Sequence, residues 1–458
     1  MHIVFVNTQI RMFLLILHVL EAGVFAVDSK QFNILYLIAD DLRPTLGCYS
    51  DPVVKSPNID QLASVSTVFH NAYAQQAVCG PSRVSFLTSR RPDTTKLYDF
   101  NSYWRVHAGN YTTLPQYFKS NGYTTLSVGK VFHPGIASNH SDDYPYSWSV
   151  PPYHPPSFKY EKRKVSVWIC VQYTLPPQCL CFQSHAVLFK CPLVKPHLSY
   201  IRLFSRLTLS LSLSLSLSLL GWSLGEHGEW AKYSNFDVAT RVPLIVYKPG
   251  VTSPFPRPGE KTFPFIDVFQ GTWEQFGKGH GVENVVELVD VFPTLSHLAG
   301  LRPLHRCPSS SFKIELCTEG SSLAYLIRNP ERDPNREAYS FSQYPRPSDS
   351  IQENSDLPNL ADIRIMGYSI RSTDYRYTLW VGFDPVHCQP NMTDIHAGEM
   401  YLLAEDPGED NNVFDDFDQA TVLRKLGMLP SWTESLKHHI MHLSSSLKSK
   451  GFCDSSLS

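Results

Sequence analysis

The chain has 458 residues, 43% of them hydrophobic, and a formal net charge of −2. That length can bury a large core with a smaller companion unit. The near-neutral balance excludes a basic nucleic-acid-binding protein, so any anionic ligand must be met by a local cluster of cations.

In chain order, the first feature is the short apolar run from Met12 to Leu20, with Arg11 before it and Val24-Phe25-Ala26 after it. This is the plan of a signal peptide over residues 1–26, too short to span a bilayer, and it predicts a secretory-pathway protein with no stable membrane association. The other reading is a buried strand or helix at the start of the domain. Sequons at Asn110, Asn139 and Asn391 fit a glycoprotein. Ten cysteines suit an oxidising compartment, and Cys307 with Cys317 reads as a disulfide closing a short loop.

FNILYLIADDLRP then gives a continuous apolar run that predicts a central strand of a parallel sheet, with Asp40 and Asp41 at its carboxyl end. A helix begins at Pro57, another ends at Asn121-Gly122, and a strand runs from Tyr123 to Val128. Past Gly221, VPLIVYKPG reads as a buried strand and VVELVDVFPTLSHLAGL as an amphipathic helix broken or started near Pro293. MGYSIRSTDYRYTLWVGF reads as a hairpin around Ser372-Thr373-Asp374. Strand and helix alternate, so the fold class is α/β. The predicted divisions are 27–161 and 221–340 for the main domain, 341–458 for a C-terminal subdomain and tail, and 162–220 for an anomalous segment. From Lys162 to Gly225 there is no Asp or Glu, and the segment ends in a Leu/Ser alternation. Such a tract reads as a strand with one Leu face and one Ser face, or as a translated CT dinucleotide repeat.

The densest chemistry lies in VCGPSRVSFLTSRR, residues 78–91. Pro81 fits a first helical turn and sets Cys79 just before a helix N-terminus, where unpaired amides favour an anion. Arg83 adds a planar cation. Cys79 is then a thiolate, something made from one, or a buried structural cysteine. Asp40 and Asp41 either ligate a hard cation or cap a solvated turn. In GKVFH, Lys130 offers a clamp for an oxyanion and His133 a proton carrier, unless they are an ordinary surface lysine and loop histidine. The stretch from Gly225 to Lys232, GEHGEWAK, suits either a site or an exposed loop.

Cys79-x-Pro81-Ser82-Arg83, with Leu87-Thr88 behind it, resembles the signature of the type I sulfatases. SPNIDQLAS, LYDFNSYWRVHAGN, SVGKVFHPGI, LGEHGEWAKYSNFDVAT and SQYPRPSD extend the resemblance over about residues 32–161 and from 221 into the 410s. It implies an alkaline-phosphatase-like sandwich of helices around a mostly parallel sheet, with a smaller C-terminal β-rich subdomain. It also implies that a formylglycine-generating enzyme oxidises Cys79 to formylglycine. In that family one hydroxyl of the hydrated aldehyde attacks sulfur, and the other expels sulfate by re-forming the aldehyde. A divalent cation, calcium by its oxygen ligands, would be held by Asp40, Asp41 and residue 79. Arg83, Lys130 and Lys232 would bind sulfate and His133 would assist its release. His197, in Val194-Lys195-Pro196-His197, would protonate the leaving oxygen. The implied protein is a lysosomal sulfuric ester hydrolase of sulfated glycosaminoglycans.

Two departures stand out. Ser89 replaces a residue that is usually Gly, a mild change. More seriously, the family precedes its Gly-Trp with an Asp-His pair of metal ligands, and the matching positions here are Leu219 and Leu220. Neither can donate a lone pair to a cation, so metal affinity is expected to fall. The alternative function is therefore an inactive sulfatase-like glycoprotein or a mis-spliced product.

Overall fold

The apolar run NILYLIA forms β1 (Asn33–Ala39), whose residues alternate between half-buried and buried. In the structure, a computed structural model, residues 32–154, 184–190, 212–218, 220–254, 279–308, 311–330 and 338–415 are described. The leader region and His197 lie outside them. After β1 come α1 (Pro57–Ser64), β2 (Thr67–Tyr73), α2 (Cys79–Thr88), α3 (Leu114–Ser120) and β3 (Thr124–Val128). Helix α3 opens with a capping box, in which Thr113 Oγ1 accepts from the Gln116 amide at 3.2 Å. Then follow β4 (Ser184–Lys190), β5 (Ser212–Ser218), the short ribbon strands β6 (Ser223–Leu224) and β7 (Trp230–Ala231), β8 (Arg241–Tyr247) and β9 (His280–Glu287). Helix α4 (Val291–Leu298) precedes β10 (Ser340–Arg346), β11 (Ile365–Arg371), β12 (Tyr375–Asp384) and β13 (Gln389–Leu402).

Among the described residues, seven strands form the main sheet in the order β3-β4-β1-β5-β8-β2-β9. The sheet is mixed, whereas the sequence predicts a mostly parallel one. Only β1 with β5 and β2 with β9 run parallel, and the other four neighbouring pairs are antiparallel. An apolar run such as RVPLIVY reports burial on both faces, and burial does not fix strand direction. The Leu/Ser tract supplies β5, a strand between β1 and β8 rather than at an edge. Its parallel register with β1 ends at Ala39 opposite Ser218, so the chain leaves β5 beside the Asp40-Asp41 end of β1. That shared carboxyl end is where open α/β sheets collect their functional loops.

Of the two readings of VVELVDVFPTLSHLAGL, the helix starting near Pro293 is the one that forms, and the residues before it are a strand and a turn. Val285, Val286 and Glu287 close β9, a 3-10 turn covers Leu288–Asp290, and only then does α4 begin. Three consecutive β-branched or capping residues favour the strand, and the capping box between Glu287 and Asp290 fixes the switch. The hairpin around Ser372-Thr373-Asp374 forms as expected between β11 and β12, within an antiparallel sheet of order β10-β11-β12-β13. Cys307 and Cys317 form the expected disulfide.

The two sheets meet through polar groups as well as apolar ones. Gln343 of β10 donates its amide to Gln75 at 2.9 Å, and Glu287 at the end of β9 accepts from the Phe341 amide at 2.8 Å. Arg91 forks onto the same Glu287 carboxylate at 2.7 and 2.5 Å, a bidentate pair that fixes both partners. Ser89 explains why glycine is usual there. It ends α2 with φ of 53°, in the left-handed region, and compensates by donating from Oγ to Val289 O at 2.5 Å.

Candidate active site

Strand β1 delivers Asp40 and Asp41 at its carboxyl end, and α2 brings Cys79 to them. Cys79 is the first residue of α2, not the one before it, and is 3% exposed. Pro81 therefore stands third in the helix. Cys79 Sγ lies 3.6 Å from Asp40 Oδ1, at the position a hydrate oxygen would take if residue 79 were formylglycine.

Three cations close around this group. Lys130 Nζ donates to Asp40 Oδ2 at 2.7 Å, and Arg83 Nη2 donates to Asp40 Oδ1 at 2.7 Å. Lys232 Nζ lies 2.8 Å from Asp41 Oδ1 and 3.0 Å from Cys79 Sγ. Burial pushes the Asp40 carboxyl up, but the Arg83 and Lys130 charges more than offset it and hold the group well below the usual carboxylate range. Burial lowers Lys232, while Cys79 and Asp41 raise it to a net value of about 12. Lys232 is therefore a permanent cation here, further flanked by the Trp222 ring at 5.6 Å.

The structure thus brings together six of the eight candidate positions: Asp40, Asp41, Cys79, Arg83, Lys130 and Lys232. Arg83 differs from its expected place. Its side chain is fully buried, and its second nitrogen donates to Lys130 O and to Val131 O, the latter at 3.0 Å. It ties the Lys130 loop to Asp40 and does not face the opening. His133 stacks on Phe100 with ring centroids 4.0 Å apart. Burial, followed by the Lys130 and Arg83 charges, lowers its pKa to about 4, so the imidazole is neutral above that pH. His197 lies outside the described residues.

Sequence reasoning missed the parts that hold this arrangement. Arg43, two residues past Asp41, pairs with Glu226 at 2.5 Å and donates to Trp222 O at 3.3 Å. This clamps the 221–232 loop onto the end of β1. Gly221 is required at its start, because a Cβ there would lie 2.0 Å from Val238 O. His227 stacks on Phe236 at 3.7 Å and serves the loop's structure. The signals were present as the arginine after the Asp pair and the acids of GEHGEW, but nothing in their spacing pairs them.

Asp40, Asp41 and Cys79 each offer one ligand atom, and all three atoms lie within 4.8 Å of one another. Two carboxylates and a third donor suit a hard divalent cation from one side. Leu220, just before Gly221, is 0% exposed, belongs to the main core and offers no ligand atom. Among the described residues, these three fit a cation on one wall only.

The chain belongs to the sulfatase family, hydrolases of sulfuric esters. A family model described as Sulfatase matches residues 32–173. The chain is similar to iduronate 2-sulfatase of Mus musculus, with 45% identity over 521 residues covering 88% of this chain and 94% of that protein. It is similar also to iduronate 2-sulfatase of Homo sapiens, with 46% identity over 505 residues covering 85% and 92%. This extent of similarity favours the hydrolase over the inactive alternative. The 521-residue alignment exceeds the 458 residues of this chain, so the mouse protein carries residues with no counterpart here. Solved structures bear on the fold alone. A protein solved with its substrate D-glucosamine-2-N,6-O-disulfate aligns at 16% identity and TM-score 0.54, covering 93% of this chain and 100% of that one. The phosphonate monoester hydrolase of Agrobacterium radiobacter aligns at 16% identity and TM-score 0.53, covering 91% and 96%. Among the described residues no helix is long and apolar enough to cross a membrane.

Proposed function

We propose that the chain removes the 2-O-sulfate of iduronate in heparan and dermatan sulfate, working in the lysosome after passage through the secretory pathway. The reading further assigns Cys79 to a formylglycine-generating enzyme, which converts it to the nucleophile. The observation that carries the reading is the contact of Lys232 Nζ with Cys79 Sγ at 3.0 Å and Asp41 at 2.8 Å, joined to the similarity with iduronate 2-sulfatases.

Asp40, Asp41 and residue 79 would hold the divalent cation, calcium by ligand type. Such an ion, when bound, polarises the sulfate oxygens and favours a deprotonated nucleophile. The chain's own groups do the rest. Lys232 and Lys130 bracket residue 79 and stabilise charge that builds on the sulfate oxygens, preorganised by their carboxylate partners. Arg83 positions Asp40 and the Lys130 carbonyl. His133 is assigned the proton taken up as sulfate departs, on the family resemblance alone. His197 is assigned protonation of the leaving oxygen, on the family resemblance alone.

The test of specificity is sulfate release from two disaccharides, one ending in 2-sulfated iduronate and one ending in 6-sulfated glucosamine. Release from the first and little from the second is expected. Preference for the second would overturn the iduronate assignment while leaving a sulfatase.

A further inference from the structure

Trp230 is 68% exposed, more than any other Phe, Tyr or Trp described, and it stands two residues before Lys232. Simple strand alternation would put both side chains on one face. Ala231 breaks the alternation with φ of 74°, so Lys232 turns inward to Cys79 and Trp230 turns outward. Directly across the ribbon lies Leu224, 58% exposed, and residues opposed in an antiparallel pair share a face.

This apolar pair is held in place. The indole rests against Gly225, where a Cβ would lie 3.4 Å from Trp230 Cζ2, and the φ of 115° at that glycine admits no ordinary side chain. Glu226 ties the ribbon down by accepting from the Leu224 amide and from Arg43, each at 2.5 Å. Glu229, the residue before Trp230, pairs with Arg346 at 3.6 Å. A clamped apolar pair of Trp230 and Leu224 thus stands two residues from Lys232, which reaches Cys79. Single exposed apolar residues are common, but a clamped pair beside a site marks a place where a ligand docks. Two side chains are too little for a stable protein interface, which buries about 800 Å² per partner.

We propose that Trp230 and Leu224 form a sugar subsite, on which the C–H face of the monosaccharide next to the sulfated residue stacks. Arg43 and Arg346 are each matched by a glutamate, Glu226 and Glu229, so the subsite works by stacking, and the positive charge for the sulfate comes from the neighbouring Lys232. The proposal rests on the reading of the substrate as a sulfated glycosaminoglycan. It makes Trp230 a specificity residue, not a catalytic one.

The experiment is calorimetric titration of the full chain with a disaccharide ending in 2-sulfated iduronate and with the methyl glycoside of 2-sulfated iduronate alone. Wild type should prefer the disaccharide. Trp230→Ala should shrink that preference about tenfold, and Trp230→Phe should keep most of it. An unaltered preference in Trp230→Ala overturns the subsite, as does equal weakening toward both ligands, which would mark Trp230 as support for the Lys232 loop. Sulfate release is measured in parallel. Binding that depends on Trp230 without any release would sink the hydrolase reading and leave the subsite standing.

Discussion

One ammonium group joins Lys232 to Cys79: Nζ sits 3.0 Å from Sγ and also 2.8 Å from the Asp41 carboxylate. Because the lysine is 7% exposed and held charged, its field acts at residue 79 with little screening. Lys232→Ala is expected to lower kcat/KM for a 2-sulfated iduronide about 10²–10³-fold, with most of the loss in kcat. Steady-state kinetics would check it. A loss confined to KM would show uniform substrate binding instead.

Asp40 answers two cations, Arg83 and Lys130, and Arg83 has no solvent to fall back on. Asp40→Asn leaves that buried guanidinium uncompensated and should cost about 3 kcal/mol of stability. Since the folded carboxyl sits well below its unfolded value, its contribution is fully present above pH about 4 and is lost only as pH falls on through the folded value, far into the acid range. Denaturant unfolding at pH 6 would show a large difference between variant and wild type, most of which persists at pH 3 because the folded carboxyl is still ionised there; a difference that vanishes by pH 3 would contradict the pairing.

Two other buried acids titrate in the opposite sense. Burial raises Asp290 to about 7, helped by the neighbouring Glu287 charge, and burial raises Glu409 to about 7 against the pull of Arg376. Between the unfolded value near pH 4 and pH 7 the folded state binds more protons, so these groups favour folding on the acid side and lose that contribution as pH rises through 7. The unfolding midpoint is expected to be higher at pH 5 than at pH 7.5. Asp290→Asn should flatten the slope, and a midpoint that climbs steadily to pH 8 would contradict the assignment.

Metal binding should be weak. Asp40, Asp41 and residue 79 supply one wall, Leu220 supplies none, and Lys130 and Lys232 already neutralise the two acids. A calcium dissociation constant of about 10⁻⁴–10⁻³ M is expected, in the range of low-affinity extracellular sites. Chelation should abolish sulfate release, and millimolar calcium should restore it and raise the unfolding midpoint. Full activity in excess chelator would remove the cation from the account.

Much of this site was legible because its chemistry is written locally. Cys79, Pro81, Ser82 and Arg83 fall within one turn, Asp40-Asp41 close an apolar run, and Lys130 and Lys232 stand in compact motifs. The helix ending at Asn121-Gly122 and the hairpin at Ser372 were equally local. What could not be read depends on long-range pairing. Arg43 with Glu226 spans most of the first half of the chain, and Phe100 covers His133 from a separate loop. The direction of β8 was hidden because apolar runs look alike whichever way they point, β4 fell in the anomalous segment and was not read as a strand, and the switch from strand to helix before Pro293 depends on a capping box at the strand end. The Leu/Ser tract has the period of a strand but no residue that announces a place between β1 and β8.

The most direct test is sulfate release by the chain itself. The full protein would be produced with a formylglycine-generating enzyme, conversion of Cys79 verified by peptide mass, and the folded, calcium-supplied product given a disaccharide ending in 2-sulfated iduronate. Release well above that of Cys79→Ala is expected. Conversion with correct folding and no release above Cys79→Ala would contradict the account, and would point to Leu219 and Leu220 as the positions where the site fails.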